Sequence, residues 1–295
     1  MKKIAGVDIG GTKIRFGVVG ETGEVLADWT IPTKTPLYPY LEEQIIKIKK
    51  NFPDLTGIGI GTRGMVDAET GVVTFEKELE GWQGTSVKSQ LEAATGLQVE
   101  INNDANCAAL AEVRLGSAQG YRRVVCLTVG TGLGGGLIFD GKIMNGSHGG
   151  AGEVGHMILY PNGLLCGCGR KGCSEQYVSG TALRRLIQEE HVINPGTGET
   201  ALPQDLFRLA AEGVAGAITV RERFLCDFAI VISSLQAVLD MDCVIIGGGV
   251  ADSADDWWEL LLEKVEPLKL KPLELKRAVF GNEAGMLGSA MLIID

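Results

Sequence analysis

The chain opens on apolar runs separated by glycine-rich turns. KKIAGVDI, GGTK, IRFGVVG and EVLADWTI read in order as strand, turn, strand and a third strand, a β-meander. Apolar positions at helical spacing then predict a helix over about 40–50, ahead of a buried strand at 57–60, a loop rich in glycine and threonine, and a helix over about 85–95. In QVEINNDANCAALAEVRLG the apolar period changes from 2 to 3.6 near Asn103, so a strand ends there in a polar corner that opens a helix. That corner is a candidate site.

From Arg122 the opening pattern returns: RRVVCLTV is a strand, GTGLGGG a tight turn and LIFDGKI a second strand. After a loop dense in glycine and cysteine, about 148–173, helices are expected near 181–190, 203–212 and 215–239. A strand CVIIGGG, a helix near 257–265, a strand LKRAVFG and a last helix over 283–293 complete the chain. Alternating strands and helices predict an α/β fold, and two similar halves predict two related lobes. The expected division is a smaller N-terminal lobe over 1–115, joined by the C-terminal helix 283–295, and a larger lobe over 116–282 that carries the cysteine loop.

Composition narrows the function. At 295 residues each of two domains can bury its own core. Lys plus Arg is 27 against 37 for Asp plus Glu, and the net charge of −10 opposes non-specific attraction to nucleic acid or anionic lipid. Asp8 and Gly10 break the first apolar run before a signal-peptide core could form, and the longest later run, near 228–238, falls short of the roughly 20 residues that span a bilayer. A cytoplasmic protein with no membrane or nucleic-acid partner is expected. Of seven cysteines, Cys107, Cys126, Cys226 and Cys243 sit in apolar runs where buried thiols are common, so no disulfide framework is expected.

Gly130-x-Gly132-x-x-Gly135 has the spacing of a dinucleotide fingerprint, but a strand follows it where that fingerprint needs a helix. No Walker sequence is present. What remains is a pair of hairpin turns, DIGGTK and VGTGLGGG, whose glycines let backbone N–H groups approach an anion and whose Thr12 and Thr131 can add hydroxyl donors. Either turn alone reads as readily as an ordinary hairpin; two of matched type in matched halves favour phosphate binding. Asp104, at the strand-to-helix corner, reads either as a helix N-cap or as a general base. His156, Cys166, Cys168 and Cys173 have the composition of a structural zinc site, and Gly167, Gly169 and Gly172 allow the tight turning that wraps one metal. Glu153 and Glu175 flank that loop, so a zinc ion would pin both.

DIGGTK, NNDAN, VGTGLGGG, GAGEVGH and CGCGRKGCSE occur in the order seen in the ROK family of sugar kinases and sugar-responsive repressors, which this chain resembles from Asp8 to Glu175 and, less specifically, through IIGGGV. The resemblance implies a two-lobed actin-like ATPase (ribonuclease H-like) fold with an interdomain cleft, Mg-ATP and a hexose as ligands, and a homodimer. It implies that Asp8, Gly10, Gly11, Thr12 and Lys13 face the phosphates and magnesium, that Thr131 and Gly132 hold the other side, and that Gly247 and Gly248 border the adenosine. Asp104 would be the general base, and Gly64, Asn103, Asp104, Glu153, His156 and Glu175 would read the sugar. Glucose is the first expectation, N-acetylmannosamine the second, with fructose or mannose behind. Two positions depart from the pattern: family kinases often carry Pro before Gly64 and Asn-Leu ahead of the following tryptophan, whereas this chain has Arg63, and Glu78-Leu79 ahead of Trp82. The family's repressors carry an added helix-turn-helix domain. This chain starts almost directly on the first strand, so a kinase is expected rather than a non-catalytic regulator. The cysteine and Glu-x-Gly-His loop argues against the other actin-like ATPases. His191 is expected to be merely exposed.

Overall fold

The computed structural model describes residues 2–294. In chain order the elements are β1 (Lys3–Ile9), β2 (Lys13–Gly20), β3 (Val25–Pro32), α1 (Leu37–Asn51), β4 (Leu55–Thr62), β5 (Met65–Asp67), β6 (Val72–Phe75), α2 (Val87–Thr95), β7 (Gln98–Asn103) and α3 (Asp104–Arg114). They continue as β8 (Arg123–Val129), β9 (Leu133–Phe139), β10 (Lys142–Ile143), α4 (Gly180–Glu189), α5 (Leu206–Ala211), α6 (Ala215–Leu239), β11 (Cys243–Gly247), α7 (Trp258–Val265), β12 (Glu274–Arg277) and α8 (Ala284–Met291). One sheet runs β3-β2-β1-β4-β7 and the other β10-β9-β8-β11-β12, the same order position for position. The chain forms two compact units: one holds the chain up to Gly120, Gly136–Gly152 and the chain from Val279 on; the other holds Tyr121–Gly135 and Glu153–Ala278.

In the first unit, a row of glycines decides which helix covers the sheet. Gly6 on β1 lies opposite Gly17 on β2 and Gly59 on β4. A Cβ at Gly6 would stand 2.4 Å from the Met286 carbonyl oxygen, and one at Gly59 only 1.7 Å from that of Ser289. The row therefore lets the backbone of α8 rest directly on the strands. Ser289 completes the contact by accepting the Val7 N–H with its Oγ at 2.9 Å. Alternate strand residues, among them Val7, Phe16, Ile58 and Ile60, bury into a core with Leu41 and Ile45 of α1, Leu91 of α2 and Trp82. Glu112 of α3, almost wholly buried, accepts from Val279 N (2.7 Å) and Phe280 N (3.1 Å) with one oxygen and from Ser117 N (3.1 Å) with the other. One carboxylate thus ties the chain leading into α8 to the end of α3.

In the second unit, α6 packs Phe224 and Phe228 beside Phe207 of α5 and Trp257. Its exposed positions 219, 223, 226, 230 and 237 recur at helical spacing, with 215 and 238 exposed at its ends. Cys226 falls on that stripe, so it is exposed, contrary to the expectation from its apolar neighbours, whereas Cys107, Cys126 and Cys243 are buried. Details of several elements also differ. The loop after β4 contains the β5–β6 hairpin, and α1 begins at Leu37, ahead of Pro39, which the first helical turn tolerates. Gly134 to Gly136 belong to β9 and not to the turn, since a Cβ at Gly136 would stand 2.6 Å from Ala109 Cβ of α3.

Candidate active site

In the first unit, β1 and β2 leave Gly10, Gly11 and Thr12 as their turn. Gly10 N donates to Lys13 O at 3.0 Å, Thr33 Oγ1 donates to Gly10 O at 2.9 Å and Thr33 N to Thr12 O at 3.0 Å. The turn's carbonyls are thereby engaged within the protein, the polarity that an anion-binding turn needs. Asp8 lies just before it, opposite Gly61 on β4, with Gly285 of α8 against it: a Cβ there would be 2.7 Å from the Asp8 carboxyl carbon. Burial, and then the charge of Asp104, push the Asp8 carboxyl up to about 6.

The corner NNDAN is a connected amide network. Asn103 is the N-cap of α3: its Oδ1 accepts from Ala105 N (2.9 Å) and Asn106 N (3.3 Å), and its Nδ2 donates to Gly64 O at 3.0 Å. Asn102 takes Asn106 Nδ2 on its Oδ1 and gives its own Nδ2 to Asn145 Oδ1, both at 2.9 Å. The N-cap role that the sequence allowed for Asp104 thus belongs to Asn103. Asp104 is the first helical residue, its Oδ1 accepting from Ala105 N at 2.9 Å, where the helix N-terminus favours an ionised carboxylate. Gly64 has φ +89 and a Cβ on it would meet Phe75 O at 2.3 Å, so the position whose carbonyl the corner holds must be glycine.

In the second unit, Gly130, Thr131 and Gly132 form the matching turn between β8 and β9, with Gly130 N donating to Gly132 O at 3.0 Å. The start of α4 braces it: Gly180 N donates to Gly130 O at 2.7 Å and Thr181 Oγ1 to Thr131 O at 2.8 Å. Beside this turn opens a cavity of about 470 Å³, lined among others by Thr131, Thr181, Arg184, Gln204, Gly249 and Ser253. Gly247 ends β11, and Gly248 follows with φ +86 against Val129, while the cavity wall begins one residue later at Gly249. Thr181 and Arg184 of α4, Gln204 and Ser253 carry no local motif; only their place in the cavity wall marks them.

The glycine and cysteine loop closes on itself. Ile158 bridges Cys173 and Leu165 bridges Lys171, while Ser174 N donates to Met157 O (2.8 Å) and Ser174 Oγ to Val154 O (2.7 Å). Ligand atoms of His156, Cys166, Cys168 and Cys173 all fall within 4.8 Å of one another. Cys166 Sγ lies 3.7 Å from His156 Nδ1, and Cys168 Sγ lies 3.6 Å from Cys173 Sγ. Tetrahedral zinc bonds of about 2.3 Å to sulfur and about 2.0 Å to nitrogen require edges of roughly 3.6 to 3.8 Å, so this donor set fits such an ion. The Arg170 backbone N–H holds the Cys168 thiol down at about 6, towards the thiolate that a metal needs. The other imidazole nitrogen, Nε2, faces Glu153 Oε2 at 3.9 Å, beyond hydrogen-bonding distance. Glu175, two residues after Cys173, accepts the Leu133 N–H at 3.3 Å. His191, exposed with φ 49, takes no part.

Residues 4–295 match the ROK family. A glucokinase of Streptomyces coelicolor is 35% identical over 97% of this chain and 96% of its own length. An N-acetyl-D-glucosamine kinase of Aliivibrio fischeri is 34% identical over 98% of each. Among solved structures, a ROK family glucokinase from Streptomyces griseus in complex with glucose and AMPPNP superposes with a TM-score of 0.80 at 32% identity, over 98% of both chains. With the actin-like ATPase fold of these proteins and their ordered motifs, the chain belongs to the ROK family.

Proposed function

We propose that this ATP-dependent sugar kinase transfers the γ-phosphoryl group of Mg-ATP to a hydroxyl of glucose, giving glucose 6-phosphate. The observation that carries the reading is the pair of matched turns heading two sheets of identical order, one of them bordering a cavity of about 470 Å³, within the range of ligand pockets. Asp104 accepts the proton of the sugar hydroxyl as its oxygen attacks, and ADP leaves. Gly11, Thr12 and Lys13, with Thr131 and Gly132, hold the phosphates by N–H, hydroxyl and ammonium donors, and Gly10, whose N–H closes the turn on Lys13 O, lets the phosphates come close. Magnesium supplies charge neutralisation on those phosphates. The first unit suits it, because burial and the charge of Asp104 raise the demand of Asp8 for a nearby positive charge, and both carboxylates offer hard oxygen donors.

Asn103, Glu153, His156 and Glu175 read the sugar, with the backbone of Gly64. His156, Cys166, Cys168 and Cys173 hold a structural zinc ion, which pins the loop that presents Glu153 and Glu175 and so acts on sugar affinity rather than on phosphoryl chemistry. The kinship to N-acetylglucosamine kinases supports an N-acetylhexose as the second reading, with N-acetylmannosamine included. Among the described residues no helix is long and apolar enough to cross a membrane, and we assign the protein to the cytoplasm as a homodimer that feeds glycolysis. A coupled ADP assay over glucose, N-acetylglucosamine, N-acetylmannosamine, mannose and fructose tests the assignment. Glucose should give the highest kcat/KM, and a higher value for an N-acetylhexose would replace it. Light scattering tests the dimer.

A further inference from the structure

The two positions at which this chain leaves its family's pattern are bonded to each other. Arg63 Nη1 lies 2.7 Å from Glu78 Oε2. Thr62 Oγ1 donates to the Arg63 carbonyl (3.2 Å) and accepts from the indole N–H of the fully buried Trp82 (2.9 Å). On the other side, Glu76 is buried and accepts with Oε1 from Glu78 N (2.7 Å) and Leu79 N (3.2 Å), and Trp82 N donates to Leu79 O (3.1 Å). The side chains keep 37% and 68% of their exposure, so their attraction is screened and contributes little to stability. What the anchored frame fixes is position.

That position is against the phosphate turn. A Cβ on Gly11 would lie 2.8 Å from Arg63 Nη1, so the guanidinium fills the space that any larger residue at 11 would need. The hydrogen bond and charge of Glu78, and after them the charges of Glu76 and Asp104, raise the guanidinium further above its ordinary value, so Asp104 also acts on Arg63. An arginine offers five N–H donors in a rigid fork, and the contact to Glu78 through one nitrogen leaves the rest of the fork for phosphate oxygens. Arg63 therefore stands against a turn suited to anions and within electrostatic reach of the carboxylate assigned as the base.

We propose that Arg63 is a catalytic residue that donates to the phosphoryl group in transit, and that Glu78 is a positioning residue that keeps the guanidinium over Gly11. The proposal rests on the reading that the turn takes the nucleotide's phosphates. In the transfer, the bond from the γ-phosphorus to the oxygen it shares with ADP breaks and its electron pair leaves with ADP. A bond forms to the sugar oxygen, whose proton passes to Asp104. Arg63 exchanges no proton and neutralises charge on the non-bridging oxygens.

Kinetics and nucleotide binding of the full chain test this in Arg63→Ala, Arg63→Lys, Glu78→Ala and Glu78→Gln, with thermal unfolding as the check on folding. Arg63→Ala should lower kcat by about tenfold or more while the sugar dissociation constant stays within about twofold. It should also cut the preference for AMPPNP over ADP by about tenfold, since only AMPPNP carries the γ-group. Glu78→Ala should lose about threefold or more in kcat, and Glu78→Gln should recover it, because the amide oxygen still accepts from the guanidinium. Unchanged kcat and unchanged nucleotide preference in Arg63→Ala overturn the proposal. Should that variant not fold, Arg63→Lys decides by the same two readouts, with a loss of about threefold expected and none overturning. Failure of the wild type to phosphorylate any hexose removes the kinase reading, whereas the nucleotide preference still decides the role of Arg63.

Discussion

Glu175 and Leu133 join the end of the glycine and cysteine loop to the turn between β8 and β9: Glu175 Oε2 accepts the Leu133 N–H at 3.3 Å, and a Cβ on neighbouring Gly132 would stand 2.3 Å from that oxygen. Gly132→Ala must therefore displace Glu175. A steric conflict of about 1–3 kcal/mol predicts a rise of about tenfold or more in the Michaelis constant for sugar. Steady-state kinetics with saturating ATP checks this, and an unchanged constant would separate Glu175 from sugar binding.

The proposed base, Asp104, and the cap of α3, Asn103, are adjacent residues with separable effects. Asp104→Asn should lower kcat by about 10² to 10⁴ while leaving sugar binding and the unfolding temperature close to wild type. Asn103→Ala should instead destabilise the protein by about 1 kcal/mol through loss of the cap. It also releases the Gly64 carbonyl and so weakens sugar binding. Denaturant unfolding and kinetics on both variants distinguish the two; full turnover by Asp104→Asn would remove it as the base.

Asp8 trades stability for function. In the metal-free and nucleotide-free protein its carboxyl titrates at about 6 against an ordinary 3.8, so the folded chain holds a proton there that the unfolded chain has lost. Stability from this group is present below the lower value, declines as pH rises through the window, and above it the ionised group costs at most about 3 kcal/mol. Asp8→Asn should therefore unfold at a higher temperature than wild type at pH 7.5, with the difference shrinking towards pH 4, while phosphoryl transfer is lost. Equal unfolding temperatures at pH 7.5 would contradict the burial argument.

Zinc should be measurable without turnover. Elemental analysis should find about one zinc per chain, and Cys168→Ser should lose it. That variant should raise the Michaelis constant for sugar more than that for ATP, because the loop carries Glu153 and Glu175 and not the phosphate turns. Metal-free protein that binds glucose as tightly as the native form would refute the pinning role even with zinc present.

Much of this was legible in the sequence because it lies in contiguous patterns. The repeated strand-turn-strand runs foretold two similar halves, though not the strand order that their sheets share, and three cysteines within eight residues foretold the cluster with His156. What was not legible depends on distant partners. Nothing local distinguishes Asn103 from Asp104 as the cap; the choice follows from which side chain reaches Ala105 N and Asn106 N while Gly64 O holds its amide. The cavity wall at Thr181, Arg184 and Gln204 is assembled from separate segments of the chain. Cys226 was misjudged because composition records apolar neighbours but not the helical face on which a residue falls.

The glycine row of β1, β2 and β4 sets an order on biosynthesis. The helix that rests on it, α8, follows in the chain after the whole of Glu153–Ala278. On the ribosome the first sheet therefore emerges early with part of one face uncovered, and the second unit can fold before that part is closed. A nascent chain stalled after β12 holds both sheets but not the helix, and the exposed strands of its first sheet are where a chaperone would bind until translation supplies α8.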